Sequence, residues 1–157
     1  MQLNSSAFQA GEPIPSKFTC EGKDVSPEYS WRDAPAETKT FALVLHDPDA
    51  PRAGGFTHWV VYNIPANTGH LGEGTPKQGR VPDVGLQGRN DSGKIGYMGP
   101  CPPSGTHRYI ARLYALDAEL PLAPGASHKE LSSAMEGHIL AEAELVGTYA
   151  KKSIRAA

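Results

Sequence analysis

The sequence predicts a mainly β fold, a sandwich of short strands with one short helix near the C-terminus. Three observations carry this. The apolar segments are short and rich in β-branched and aromatic residues. Glycine and proline bound them at close intervals. Only one stretch joins helical periodicity to a helix start signal. Several strands without intervening helices pack as layered sheets.

The first strand spans Thr40 to Leu45 and contains the longest unbroken apolar run, Phe41 to Leu45. That run is far too short to cross a bilayer. The second spans His58 to Ile64. Trp59, Val61 and Asn63 alternate there with Val60, Tyr62 and Ile64, so both faces carry apolar groups. In the third, His107 to Leu116, Tyr109, Ala111, Leu113 and Ala115 alternate with Ile110, Arg112, Tyr114 and Leu116. The helix precedes the fourth strand, Glu142 to Tyr149. Ser127 is its expected N-cap, with Glu130 completing a capping box. Leu131, Met135 and Ile139 are spaced as one apolar stripe, and Gly137 limits the length. The stretch from Pro65 to Gly105 differs: it holds ten of the 17 glycines and six of the 14 prolines, so few strands are expected in it. Tyr97, Met98 and Cys101 in its last part argue that it is ordered against the body.

At 157 residues, 39% hydrophobic and 20% charged, the chain reads as a single domain over 1–157 with a core of its own. Net charge is −2 and the basic residues are scattered. The cluster Lys151, Lys152 and Arg155 reads as a solvated tail, so no nucleic-acid partner is expected. Met1 to Ala10 has neither a basic start nor an apolar run, so no signal peptide and a soluble, cytoplasmic protein are expected. Cys20 and Cys101 are two free thiols by default in a reducing cytosol, or one bond closing a long loop; the sequence leaves both open. They show no zinc-ligand spacing, and neither metal nor cofactor is expected.

Three segments concentrate unusual polar residues at strand ends. Asp47-Pro48-Asp49-Ala50-Pro51 follows the first strand; it is a plain turn or a stiff corner that orients other groups. His58-Trp59 opens the second strand, where a lone histidine is ordinarily structural. The run from Gly96 to Tyr109 leads into His107 through Pro100, Pro102 and Pro103, which lack N–H groups. The amides of Gly99 and Cys101 are among the few donors this loop can present, which suits an anion cradle. Protonated imidazoles donate to anions, and a nearby aspartate favours the charged ring. Asp47, His58, His107 and Tyr109 therefore suit a phosphate-type headgroup. Gln87 to Asp91 reads as a turn bonding its own backbone, and Arg108 as a sheet-surface ion-pair partner.

These segments resemble the phosphatidylethanolamine-binding proteins, in the bacterial and archaeal Raf-kinase-inhibitor-like branch. The matching text is Ser26-Pro27 with Ser30-Trp31, DPDAP at 47 to 51 and HWVVYNIP at 58 to 65. It continues with QGRNDSGKIGYMGPCPPSG at 87 to 105, HRYIARLYAL at 107 to 116 and EGHILAEAELVGTY at 136 to 149. The resemblance implies two antiparallel sheets packed face to face and a shallow anion pocket. It assigns Asp47, His58, His107 and Tyr109 to that pocket, with Cys101 as backbone donor followed by Pro102. Asp49, Pro51, Phe56 and Gly99 fall on the rim or support it. It also implies a cis peptide at Ala50-Pro51. The chain departs from the family pattern at Phe56, where tryptophan is usual, at Met98, where glycine is common, and in the short turn Gly105-Thr106.

The function expected first is a binding module for a phosphate-bearing small molecule or lipid headgroup. An inhibitor of a kinase or protease, acting by protein contact with an unidentified partner, is the alternative. The segments that animal members use against kinases are not recognisable. A hydrolase or metal-dependent enzyme comes third: there is no Gly-x-Ser-x-Gly elbow, and no catalytic residue is assigned. The sequence leaves the oligomeric state open, although small sandwiches of this kind often pair as two-fold homodimers.

Overall fold

The computed structural model describes residues 1–152; Arg155 of the basic cluster lies outside them. The strands in chain order are β1 (Gln2–Asn4), β2 (Tyr29–Arg32), β3 (Thr40–Asp47), β4 (Phe56–Pro65), β5 (His70–Leu71), β6 (Arg80–Val81), β7 (Gly85–Gln87), β8 (His107–Leu116) and β9 (Ile139–Tyr149). Among the elements of the described residues, the helix α1 (His128–Met135) and the 3-10 turn Ser16–Phe18 accompany them. A six-stranded antiparallel sheet runs β6-β7-β4-β3-β8-β9, and a three-stranded one runs β1-β2-β5.

The alternating patterns of β3, β4 and β8 sort into two cores, one on each face of the large sheet. Phe41, Leu43, Leu45, Trp59, Val61, Tyr109, Ala111 and Leu113 meet Leu3, Tyr29, Trp31 and Leu71 of the small sheet. Ala42, Val44, Val60 and Tyr62 meet Leu131 and Met135 of α1 on the other face. The order is therefore small sheet, large sheet, helix.

Two β-bulges interrupt β4. Between the pairs Phe41↔Ile64 and Leu43↔Val61, β4 carries one residue too many, and Asn63 takes the positive φ of 51°. Its side chain is held at both ends by Leu120, donating to the carbonyl (3.0 Å) and accepting from the N–H (2.8 Å). The parity switch returns Ile64 to the core between the sheets. The second bulge lies between Leu45↔Trp59 and His46↔Thr57, which makes His58 the extra residue.

The capping box forms: the Glu130 N–H donates to Ser127 Oγ, and the Ser127 N–H to Glu130 Oε1. The apolar stripe is shorter than its spacing predicts. Leu131 and Met135 are buried, but Glu136 leaves helical backbone and Gly137 turns at φ 79°. Ile139 starts β9 instead, pairs with Leu116 and is exposed.

Cys20 and Cys101 are joined, with Cα atoms 5.5 Å apart, so the default of two free thiols is corrected. Three hydrogen bonds tie the same two segments together: Cys20 N–H to Pro100 O (3.1 Å), Tyr97 hydroxyl to Phe18 O (2.6 Å) and Gly99 N–H to Asp24 Oδ1 (2.6 Å). The expected cis peptide at Ala50-Pro51 is absent; the described peptide bonds are all trans. Hydrogen bonds from Asp49 N–H to Asp47 Oδ1 (2.7 Å) and from Arg52 N–H to Ala50 O (2.7 Å) turn the chain there with the lower-energy isomer.

Tyr29 is fully buried in the core between the sheets, and its hydroxyl has no hydrogen-bond partner. An unpaired buried hydroxyl costs about 1–3 kcal/mol. Tyr29→Phe keeps the ring contacts with Phe8 and Trp59 and removes that cost. The variant is expected to gain about 1 kcal/mol in urea denaturation; a loss of stability would reveal a hidden partner.

Candidate functional site

Strand parity and one bulge assemble the site. Asp47 ends β3 with the parity of Leu45, and His107 opens β8 with the parity of Tyr109, so both project beyond the core between the sheets. Strict alternation on β4 would turn His58 away from Trp59, toward the helix. The bulge reverses this and brings His58 to the same end as Asp47 and His107, beside Phe56 (ring centroids 4.9 Å) and Tyr109 (5.3 Å). The two prolines of Pro102-Pro103 close the opposite wall. The result is a cleft of about 190 Å³ lined by these residues together with Pro51, Ala50, Arg52, Met98 and Cys101.

Each polar group has a defined direction. Asp47 is 2% exposed and accepts twice, from Asp49 N–H at Oδ1 and from His107 Nδ1 at Oδ2, both 2.7 Å. Its two oxygens thus hold the corner and the imidazole. His58 and Met98 are doubly tied: the Met98 N–H donates to His58 O (3.0 Å), and His58 Nδ1 donates to Met98 O (2.6 Å). The Nε2 atoms of His58 and His107, the Tyr109 hydroxyl and the Cys101 N–H have no hydrogen-bond partner among the described residues. Burial holds the His58 imidazole below its ordinary pKa, against the smaller opposing effects of Met98 O and Asp47. Burial and the charges of Asp47 and Asp49 push the Tyr109 hydroxyl well up, so it stays a donor.

The sequence-selected residues fall into two groups. Asp47, His58, Cys101, Pro102, His107 and Tyr109 line the cleft, with Pro51 and Phe56. Asp49 and Gly99 stand outside its wall. Asp49 takes a two-pronged contact from Arg108, Nε at 3.0 Å and Nη2 at 2.9 Å, plus the Arg108 N–H at 2.8 Å. These bonds hold its carboxyl down at about 2. The Gly99 amide, expected to face an anion, is spent on Asp24 instead. A Cβ at Gly99 would lie 2.3 Å from Phe18 O, so the close approach of the two segments requires glycine. Sequence reasoning missed Arg52 and Ala50 in the wall, although both adjoin the Asp47-to-Pro51 corner. The Arg52 guanidinium lies over the Phe56 ring at 5.5 Å, at the mouth.

Behind the cleft, on the helix side, Thr57 Oγ1 lies 2.9 Å from His46 Nδ1 and 2.8 Å from His128 Nδ1, and His46 Nε2 donates to Gly54 O (2.8 Å). Asn90 bonds its own turn through Gly96 O and the Ser92 N–H, whereas Asp91 reaches out to the Thr57 N–H (2.8 Å). These contacts fix β3, β4 and α1 against the loop that carries the rim.

Comparison with known proteins bears on the family and the fold. The family profile described as phosphatidylethanolamine-binding protein matches residues 4–150. A UPF0098 protein of Methanothermobacter thermautotrophicus is 53% identical over 149 residues, covering 95% of this chain and 98% of that protein. Among solved structures, a phosphatidylethanolamine-binding protein homologue of Chlamydia trachomatis superposes with a TM-score of 0.88 at 43% identity, over 96% of this chain and 97% of that one. YbcL of Escherichia coli, described as a member of the mammalian family, gives 0.88 at 33% identity, over 96% and 98%. On this evidence the chain belongs to the phosphatidylethanolamine-binding protein family.

Proposed function

We propose that the cleft is a receptor for a small phosphate-type oxyanion, carried by a small molecule or a lipid headgroup, which it binds without transforming. One observation carries this reading: Cys101 N–H, Tyr109 hydroxyl and two imidazole Nε2 atoms adjoin one cleft, and no described residue uses any of them. Groups of this kind, unpaired among the described residues and facing an open cleft, are free to engage a ligand. The size supports a headgroup. At about 190 Å³ the cleft is smaller than the pockets that enclose drug-sized ligands, and a whole acyl chain finds no room in it. The exposed Arg52 at the mouth supplies a positive charge to draw an anion in. Binding is favoured over catalysis because the one sulfur nucleophile in the wall, Cys101, is tied up in a disulfide. Both Asp47 oxygens are also engaged, so this carboxylate is committed to holding the corner and the His107 ring.

Calorimetric titration with inorganic phosphate and phosphoethanolamine tests the reading. Saturable heat is expected, weakened about tenfold or more in His107→Ala. Absence of heat with every oxyanion would overturn it.

A further inference from the structure

The two imidazoles of the cleft are not equivalent, and the difference has a chemical consequence. His107 is backed by a carboxylate, Asp47 Oδ2 at 2.7 Å. His58 is backed by a neutral carbonyl, Met98 O at 2.6 Å. A carbonyl oxygen only accepts, so the proton of His58 sits on Nδ1. At 5% exposure the neutral ring is the favoured form, and its Nε2 then presents a bare lone pair to the cleft. An oxyanion that lodges there meets the Cys101 N–H and the Tyr109 hydroxyl, which can donate to it, and His58 Nε2, which in the neutral ring can only accept. A fully deprotonated oxygen against that lone pair is repelled; an oxygen that carries a hydrogen is bonded.

Building on the oxyanion-receptor reading, we infer that His58 makes the cleft selective for a singly protonated tetrahedral oxyanion, a phosphate monoester or a phosphonate as its monoanion, over an oxyanion that has no proton to share. The P–O–H group donates to His58 Nε2, while the remaining oxygens take the Cys101 N–H and the Tyr109 hydroxyl. Binding is therefore coupled to one proton, brought by the ligand or taken up with it. Sulfate, with the same shape and no proton at neutral pH, is the natural competitor that such a site rejects. This is specificity by an unpaired acceptor set against the wrong ligand.

The titratable and charged groups near His58 set the range over which this holds. They are His46 and Asp47 on β3, Asp24 on the segment before β2, His107 and Tyr109 on β8, and Arg52 on the rim. Asp47 and Asp24 favour a charged His58, and His46 opposes it; burial outweighs them all. Acid that finally protonates His58 turns Nε2 into a donor, and sulfate then becomes acceptable.

The test compares methyl phosphate and sulfate as calorimetric probes of the intact protein across neutral pH. Methyl phosphate is expected to bind about tenfold or more tighter than sulfate at pH near 7. Its affinity should fall by about tenfold per pH unit above its second pKa of about 6. The preference should shrink in acid as sulfate gains. In His58→Ala the ratio should collapse, because methyl phosphate loses its acceptor and sulfate loses its obstacle. Should that variant fail to fold, the wild-type ratio and pH slope still decide. Equal affinities with a flat pH profile, or a preference for sulfate, would overturn the inference and leave the oxyanion receptor standing. Failure of both probes to bind would overturn the inference and the receptor reading together.

Discussion

Asp47→Ala is expected to destabilise the protein by about 2–5 kcal/mol in urea denaturation, and to abolish oxyanion binding in whatever fraction stays folded. Two donors lose their acceptor at once: the backbone N–H of Asp49, in a part-buried bond, and the buried Nδ1–H of His107. The unpaired buried donor of His107 costs about 1–3 kcal/mol, and the part-buried Asp49 N–H adds to it. Asp47→Asn tests the same idea more finely. An amide has one acceptor oxygen, so one of the two donors would face an N–H group. Its loss should be smaller than that of alanine but clearly measurable. The nearby Asp49 supplies the contrast. Its contact with Arg108 is solvent-exposed and screened, so Asp49→Ala should cost far less than Asp47→Ala, although Asp49 accepts three hydrogen bonds and Asp47 two. A loss at Asp47 no larger than that at Asp49 would show that the corner, rather than the carboxylate, holds His107 in place.

Legibility in the sequence followed the physics of each element. The two apolar faces of β3, β4 and β8 are visible as alternation, because each face meets its own core. The helix start is visible because the capping box is local chemistry. Gly137 marks its end, but the stripe was carried one residue too far, to Ile139, because spacing of about one turn fits a stripe whether or not the chain has already turned at Gly137. The residue types of the site were visible, but their convergence was not. On simple parity His58 belongs on the helix side; only the extra residue in β4 turns it into the cleft, and a bulge leaves no mark in residue type when its backbone is ordinary. The Asn63 bulge does leave one, an asparagine amid apolar residues at a left-handed position. The Gly99 amide was read as a donor to an anion because its partner, Asp24, lies 75 residues away in sequence.

Removing the disulfide, by Cys20→Ser with Cys101→Ser, is expected to lower stability by about 4 kcal/mol while leaving oxyanion affinity unchanged. The two effects separate because they act on different states. The bond spans 81 residues, and closing so long a loop chiefly restricts the unfolded chain. In the folded protein the same segments are held independently by Cys20 N–H on Pro100 O, the Tyr97 hydroxyl on Phe18 O and Gly99 N–H on Asp24 Oδ1. The Cys101 N–H, which the proposed ligand uses, belongs to a backbone that Pro100, Pro102 and Pro103 already stiffen. Denaturation midpoints and phosphate titrations on the same double variant read the two states separately. A folded variant that no longer binds phosphate would mean that the covalent link itself sets the position of the Cys101 amide, and that the hydrogen bonds around it are too weak to do so alone.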